Sequence, residues 1–453
     1  MLRLLRATIG LLVFFGFNVC TCVFAQQISF SNPSNQSLSH ALKFDEALMD
    51  DQLQARAVLL PEQHKVSVTS RLLLIANKNV QVDFFPTQVQ EQIKDFSLLV
   101  HYQAHYVYLV ETESVKTMLA LSELLAKSPL VEYVQPDILP LRKPLQRPVF
   151  WNGPQTFNEQ TFKLGDYLPL QSLWKTTRGK GLRIAVIDSG INPEHPALQK
   201  MSIKFRWNVD ENRSDIEPAQ NDLHGTWVAG IIWARPELIV PIPPLTPGVA
   251  WGIAPESELI SLKLQRPWTS NLLRAFALAE QQQADVINIS WLVPWVAAPV
   301  RDYLHYLTAS ANKAKGIVIV AAADPQFQPN LGLAAMDELC VVSSTDHLGQ
   351  LANSSWDSGV DIAAASYVLS VSFRQPLLYE RFAKTSASAP LVSGLVALFR
   401  GVRPDLTASQ LQLLLVKTAT TAEARLPDGR LIRYKKLDAN KAYAQLLNER
   451  LQQ

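Results

Sequence analysis

Cysteine is almost absent from this chain, with three in 453 residues. Cys20 and Cys22 fall within an apolar N-terminal run, so a processed chain would keep Cys340 alone. A single cysteine excludes a framework of internal disulfides. The apolar neighbours of Cys340 predict a buried core thiol. Stability must therefore come from a hydrophobic core, and a hydrophobic fraction of 48% is typical of globular proteins.

A charge excess of either sign is also lacking. The chain has 42 Lys and Arg against 40 Asp and Glu, for a formal net charge of +2. This balance does not favour nucleic acid as a partner, because no strong field attracts a polyanion. Beyond the N-terminus, no apolar run is long enough to span a bilayer.

The N-terminus has the pattern of a signal peptide. Arg3 and Arg6 precede a continuous apolar run, and small residues lead up to a cleavage point after Ala25. We therefore predict a signal peptide over residues 1–25 and a secreted or periplasmic protein. The alternative is an uncleaved anchor, which would be the chain's one membrane contact, since the run is near the lower length of a span. The polar residues after it, without a basic stop-transfer flank, favour cleavage.

Proline and basic residues mark a boundary near residue 140. Pro140, Pro144 and Pro148 alternate with arginine and lysine, which predicts an exposed linker open to proteolysis. Strand-like and helical runs precede this linker and indicate a small α+β unit. The predicted division is a signal peptide at 1–25, a polar N-terminal segment at 26–55, the small α+β domain at 56–140, the linker and start of the mature chain at 141–164, and a larger domain at 165–453.

Strands and helices alternate through the larger domain. Short β-branched strands are predicted at 182–187, 286–289 and 317–320, and helices at 270–283 and 386–399, among others. This alternation predicts an α/β fold in which helices flank a parallel sheet on both faces. Ligand chemistry is then expected at the carboxyl ends of the strands.

Three segments supply the groups that acyl transfer requires. Asp188 follows a buried strand, where its carboxylate could orient a histidine. His224 begins a run of small and apolar residues after Asp222, as expected of a positioned base. Ser386 lies at the start of a small-residue helix, where its N–H could face an oxyanion. Taken singly, these residues are equally consistent with a turn, a structural histidine and a helix cap.

Together the three segments resemble the Asp, His and Ser motifs of the subtilisin-like serine proteases, in the order of that family. The resemblance covers residues 165–420. It implies a serine endopeptidase that cleaves protein or peptide substrates without a cofactor. It also implies that residues 56–140 are an inhibitory pro-domain and hence that the protein is made as a zymogen. The alternatives are a catalytically impaired peptide-binding or chaperone-like protein, and an esterase.

The sequence departs from the family pattern at the expected oxyanion hole. Asp324 stands where the family usually has asparagine, and an ionised carboxylate cannot donate to an oxyanion. We hypothesise that Asp324 acts protonated, with activity favoured at mildly acidic pH. A different alignment would bring Asn330 there, although its spacing fits poorly.

Two further departures flank the substrate-binding and nucleophile segments. Ser290 is followed by Trp291 and Leu292 where leucine and glycine are usual, which predicts a narrowed specificity pocket. Lys384 replaces a glycine that could serve close substrate approach or an unusual backbone angle.

The sequence predicts no metal at the calcium site common in this family. Ala197 follows His195-Pro196 where the family often has aspartate. The proline-rich loop 240–247 also lacks carboxylates, whereas calcium requires several oxygen ligands.

Overall fold

The computed structural model describes residues 27–30, 40–44, 51–61, 63–141, 167–218, 222–235, 251–323, 332–346, 348–352, 359–366, 368–372, 379–425 and 429–448. The predicted signal peptide and nearly all of the linker lie outside these ranges and stay predictions.

The N-terminal part of the chain forms one antiparallel sheet with helices beside it. The sheet order is β1-β2-β3-β4-β6-β5, and β7 also pairs with β4. Its elements are β1 (Gln27–Phe30), β2 (His40–Phe44), β3 (Gln54–Leu60), β4 (His64–Ala76), α1 (Thr87–Gln90), β5 (Asp95–Tyr102), β6 (His105–Glu111), α2 (Val115–Leu125) and β7 (Tyr133–Pro140).

This sheet begins earlier than the sequence patterns predicted. The predicted polar segment 26–55 contains β1 and β2, and its boundary with the small domain falls inside β3. Each of these strands pairs with its neighbour in an antiparallel register. Strands of four and five residues leave little periodic signal in the sequence, and pairing with the next strand holds them in place.

The larger domain is built on a nine-stranded sheet of order β17-β18-β14-β13-β12-β11-β8-β10-β9. Its neighbouring strands are parallel from β9 to β18, and β17 is antiparallel to β18. Its strands are β8 (Arg183–Asp188), β9 (Ser202–Asn208), β10 (Glu258–Lys263), β11 (Val286–Ile289), β12 (Val318–Ala322), β13 (Cys340–Thr345), β14 (Ile362–Ala365), β17 (Thr420–Arg425) and β18 (Leu431–Lys436), with a separate hairpin of β15 (Val368–Val371) and β16 (Tyr379–Phe382). The predicted α/β fold with a parallel sheet is confirmed.

Helices cover both faces of this sheet. They are α3 (Leu170–Thr176), α4 (His224–Trp233), α5 (Thr269–Gln281), α6 (Ala298–Ala309), α7 (Ala311–Ala314), α8 (Thr385–Val402), α9 (Ala408–Thr418) and α10 (Ala439–Asn448). Side chains of β8 alternate between the two cores: Ile184 and Val186 pack with α4 and α8, whereas Ala185 and Ile187 pack with α5 and α6. A strand buried on both faces must be apolar throughout, which explains the continuous run in β8. Cys340 lies buried in β13, as predicted.

The N-terminal sheet packs against helices α5 and α6 of the larger domain. One hydrophobic core cluster contains residues of both, and the N-terminal sheet contributes seven side chains to it: Leu73, Ile75, Val100, Tyr102, Val107, Leu109 and Tyr133. The ring centroids of Tyr102 and Tyr303 lie 4.9 Å apart across this contact. The Tyr133 hydroxyl donates to Asp302 at 3.2 Å.

A buried carboxylate completes the contact at the start of α5. Asp137 accepts hydrogen bonds from the backbone N–H of Ser270 at 2.9 Å and from its hydroxyl at 2.7 Å. It also forms an ion pair with Arg71 at 2.7 Å. Burial raises the pKa of Asp137, while Arg71 and Ser270 oppose that shift. Trp268 is at the cap position of this helix without a side-chain bond, and Asp137 satisfies the Ser270 N–H.

Candidate active site

The three predicted catalytic residues converge on the carboxyl edge of the parallel sheet. Asp188 is the last residue of β8, His224 is the first residue of α4, and Ser386 lies in the first turn of α8. Ser290 follows β11, the strand beside β8. The fold thus places these side chains where an open parallel sheet positions ligand chemistry.

Asp188 and His224 form a direct hydrogen bond. His224 Nδ1 lies 2.9 Å from Asp188 Oδ1, which also accepts the N–H of Ser189 at 2.8 Å. The Asp188 side chain is 2% exposed and that of His224 is 23% exposed. A buried carboxylate on Nδ1 holds the proton on that nitrogen and leaves Nε2 as the basic atom.

Close helix packing makes this hydrogen bond possible. Gly225 lies so near the turn after β8 that an added Cβ would meet the carbonyl oxygen of Gly190 and the Cβ of Asp188. Any larger residue would push α4 away from the strand. The Phe382 ring meets the His224 ring edge-on, with centroids 5.4 Å apart, and limits its rotation. Sequence reasoning missed Phe382, because it reaches the site from a hairpin.

The Ser386 hydroxyl donates to the carbonyl oxygen of Ser290 at 2.7 Å. Its own N–H is in the first turn of α8, where backbone donors have no partner within the helix and the helix dipole favours negative charge. Ser386 is partly exposed. A serine in this position combines an accessible hydroxyl with a backbone donor suited to an oxyanion.

A buried polar chain joins the helix of Ser386 to the strand of Ser290. Ser393 in α8 donates to Asn288 Oδ1 at 2.9 Å, and Asn288 Nδ2 donates to Ser290 Oγ at 2.9 Å. All three side chains are buried. Sequence reasoning assigned no role to Asn288 or Ser393, although polar residues within apolar runs were a signal available to it.

Trp291 packs inward beside β8. Its side chain is buried, and its indole N–H donates to the carbonyl oxygen of Ile187 at 2.7 Å. Leu292 is partly exposed. The bulk of Trp291 therefore fills the core under the end of the strand. The narrowed specificity pocket, which was predicted from Trp291 and Leu292 together, stays a prediction.

Lys384 has a backbone conformation that favours glycine. Its φ is 66° and its ψ is −169°, a region that is essentially confined to glycine. The side chain is exposed. A glycine at this position could serve close approach of the substrate or an unusual backbone angle. The structure has the unusual backbone angle, two residues before Ser386.

Asp324, Asn330 and the loop 240–247 lie outside the described residues, so the oxyanion and calcium predictions stay predictions. Among the residues that are described, no group of three or more His, Cys, Asp or Glu side chains could hold a metal.

His195 is buried, with Nδ1 accepting from Ala197 N–H and Nε2 lying 3.0 Å from the Ser372 carbonyl oxygen. Burial lowers the pKa of His195.

Within the described ranges, one helix is long and apolar enough to cross a membrane. It is Thr385–Val402, and 89% of it is buried inside the protein.

A profile described as "Subtilase family" matches residues 179–441, which is more than half of the chain. The chain therefore belongs to the subtilase family, and the class of protein is a subtilisin-like serine peptidase. The matched range includes all three residues at the sheet edge.

Proteins of similar sequence support this class. The chain is 30% identical over 290 residues to a thermophilic serine proteinase of Bacillus sp., covering 62% of this chain and 65% of that protein. It is 31% identical over 306 residues to mycosin-4 of Mycobacterium tuberculosis, covering 58% of this chain and 64% of mycosin-4. An intracellular serine protease of Paenibacillus polymyxa is 27% identical over 54% of this chain and 76% of its own length. The chain thus spans a little under two thirds of the first and second of these proteins.

A solved structure agrees on the fold. Fervidolysin from Fervidobacterium pennivorans, a keratinolytic enzyme related to subtilisin, superposes with a TM-score of 0.59 at 19% identity. The match covers 83% of this chain and 61% of fervidolysin. The matched part contains more residues than the range 167–453, so the similarity in fold extends into the N-terminal part of the chain.

Proposed function

We propose that this protein is an exported serine endopeptidase that is made as a zymogen and uses Asp188, His224 and Ser386 as a catalytic triad. The observation that carries the proposal is the 2.9 Å hydrogen bond between His224 Nδ1 and the buried Asp188, at the edge where α8 presents Ser386. A turn-forming aspartate and a structural histidine would have no need of this contact.

Each group has a defined part in the proposed reaction. Ser386 Oγ attacks the carbonyl carbon of a peptide bond while His224 Nε2 takes its proton. His224 returns that proton to the leaving amine, which yields an acyl-enzyme that water then hydrolyses through the same base. Asp188 keeps His224 in the required tautomer and stabilises the imidazolium. The backbone N–H of Ser386 stabilises the oxyanion, with Asp324 as a second donor if it is protonated.

The proposed zymogen form rests on how the N-terminal sheet contacts the rest. We assign the whole sheet, from β1 to β7, to the pro-domain, because its strands pair continuously. It packs its apolar face on α5 and α6, and it buries Asp137 against the start of α5. β7 ends at Pro140, where the predicted linker begins. Cleavage of that linker would leave the sheet attached only by these non-covalent contacts, as an intramolecular inhibitor requires.

Self-processing provides the test. The full chain is expressed beside Ser386→Ala, and release of the N-terminal sheet is followed by gel and mass spectrometry. Labelling with a serine-directed fluorophosphonate is measured in parallel. Ser388→Ala is the matched control, because Ser388 lies in the same turn of α8 but its hydroxyl bonds to the carbonyl oxygens of Ala364 and Ala365.

We expect processing and labelling in the parent and in Ser388→Ala, and neither in Ser386→Ala. Absence of both in the parent would overturn the catalytic proposal and favour a peptide-binding protein. Labelling with cleavage of esters but not of peptides would identify an esterase.

Export rests on the N-terminal segment alone. The relatives do not decide it, because one of them is by name an intracellular protease. Fusion of residues 1–25 to a reporter that is active only outside the cytoplasm tests it. Deletion of the apolar run should abolish the reporter signal, and a signal that persists would contradict export by this segment.

A further inference from the structure

A cationic cavity lies at the amino edge of the sheet, opposite the candidate active site. Its volume is about 630 Å³, and it is lined in part by Trp174, Arg178, Lys180, Glu256 and Arg400. It adjoins the beginning of β8, whereas Asp188 ends that strand. Nothing in the proposed reaction uses it. Its size is that of a small-molecule site, roughly 300–1,000 Å³.

Arg400 has unused hydrogen-bonding capacity inside the protein. The residue is 2% exposed, and Nη2 donates to the carbonyl oxygen of Gly316 at 3.1 Å. Its Nε and Nη1 atoms are buried and have no hydrogen-bond partner in the part of the chain that the structure describes. Arginine stays protonated under such conditions, so these donors belong to a charged group.

The nearby carboxylate does not satisfy Arg400. Asp285 attracts the guanidinium, but burial still lowers the pKa of Arg400. The Asp285 oxygens instead accept the backbone N–H of Arg183 at 2.9 Å and the side-chain amide of Asn312 at 3.1 Å. Buried polar groups are normally paired, so the Nε and Nη1 donors of Arg400 have the capacity to bind a further acceptor.

A second arginine is held in place in the cavity wall. The Arg178 guanidinium carbon lies 5.1 Å from the ring centroid of Trp174 and 5.6 Å from that of Trp251. These cation–π contacts orient the side chain without neutralising it. Lys180 adds an exposed third cation, and Glu256 is the carboxylate among the described lining residues. Three cations against one carboxylate give the wall an excess positive charge.

We propose that this cavity binds a small phosphate-bearing ligand of several negative charges, with Arg400 and Arg178 as its principal contacts. Guanidinium groups match the geometry of phosphate oxygens and bind them by charge-assisted hydrogen bonds. Arg400 and Ser386 belong to the same helix, 14 residues apart, or about 21 Å at 1.5 Å per residue. The ligand is thus expected to stabilise the domain that carries the nucleophile without touching the substrate.

Ligand-dependent thermal stability tests the proposal. The full chain carries Ser386→Ala in every sample to prevent self-digestion, and sodium tripolyphosphate is titrated at constant ionic strength. The cavity variant combines Arg178→Gln with Lys180→Gln. The charge-matched control combines Lys417→Gln with Lys441→Gln, two exposed lysines outside the cavity.

We expect a saturable rise in Tm in the parent and in the control, because a ligand that binds only the folded state stabilises it. The cavity variant should bind at least tenfold more weakly. Arg400→Met, which removes the unpaired donors, should lose the response altogether. An unsaturable rise, an equal loss in the lysine control, or a full response in Arg400→Met would overturn the proposal.

Discussion

The Asp137 contact allows a quantitative test of how the N-terminal sheet is held. In Asp137→Asn, the amide oxygen can still accept the N–H of Ser270, but the amide nitrogen accepts neither the Ser270 hydroxyl nor Arg71. Both lost contacts are to a carboxylate, and loss of a hydrogen bond to a charged group costs about 1.5–3 kcal/mol. Arg71 retains 24% side-chain exposure, so water offsets part of its lost partner. We expect the free energy of unfolding to fall by about 3 kcal/mol.

The assay is urea unfolding of the full chain in the Ser386→Ala background, followed by circular dichroism and analysed by linear extrapolation. Glu113→Gln, in the connection between β6 and α2, is the control, because Glu113 pairs with Lys94 at 3.8 Å with both side chains largely exposed. That change should cost less than about 0.5 kcal/mol. In a double-mutant cycle, Arg71→Met should recover part of the loss caused by Asp137→Asn, since no buried charge then lacks a partner. If Asp137→Asn costs no more than Glu113→Gln, the contact does not hold the sheet.

Three further changes have outcomes that the structure predicts. Burial raises the pKa of Asp361 from 3.8 to about 6, so the fold loses stability as the pH rises between these values; Asp361→Asn should raise the free energy of unfolding by up to about 3 kcal/mol at pH 8 and little at pH 4, as measured in urea. Lys384→Gly should stabilise by about 1–3 kcal/mol by relieving the backbone at φ 66°, and a lower Tm would contradict this. Gly225→Ala should lower kcat/KM against a peptide substrate at least tenfold, because the new Cβ meets the Gly190 carbonyl oxygen; unchanged kinetics would count against it.

Local patterns were reliable where the interaction itself is local. The capping box at the start of α9 joins Thr407 and Gln410, two residue types that mark such a box three positions apart in a sequence. The continuous apolar run of β8 predicted a strand buried on both faces, and the alternation of strands and helices predicted the parallel sheet. In each case the physical cause lies within a few residues of the chain, so the sequence carries it directly.

Local patterns failed where the partner is remote. The cap of α5 comes from Asp137, 133 residues away, and no residue type near Trp268 announces it. β1 and β2 fall in the segment predicted as polar, because strands of four and five residues leave little periodic signal and depend on pairing with the next strand. The Arg400 donors that lack a partner among the described residues depend on packing around a helix that the sequence shows only as apolar.

The sequence by itself determined the order and residue types of the candidate triad and the α/β class, because each depends on motif or periodicity. Only the tertiary structure brought Asp188 and His224 to 2.9 Å, since that distance requires α4 to approach β8 at Gly225. It alone joined Ser290 to α8 through Asn288 and Ser393. Long-range packing decides such contacts, and one-dimensional spacing does not encode it.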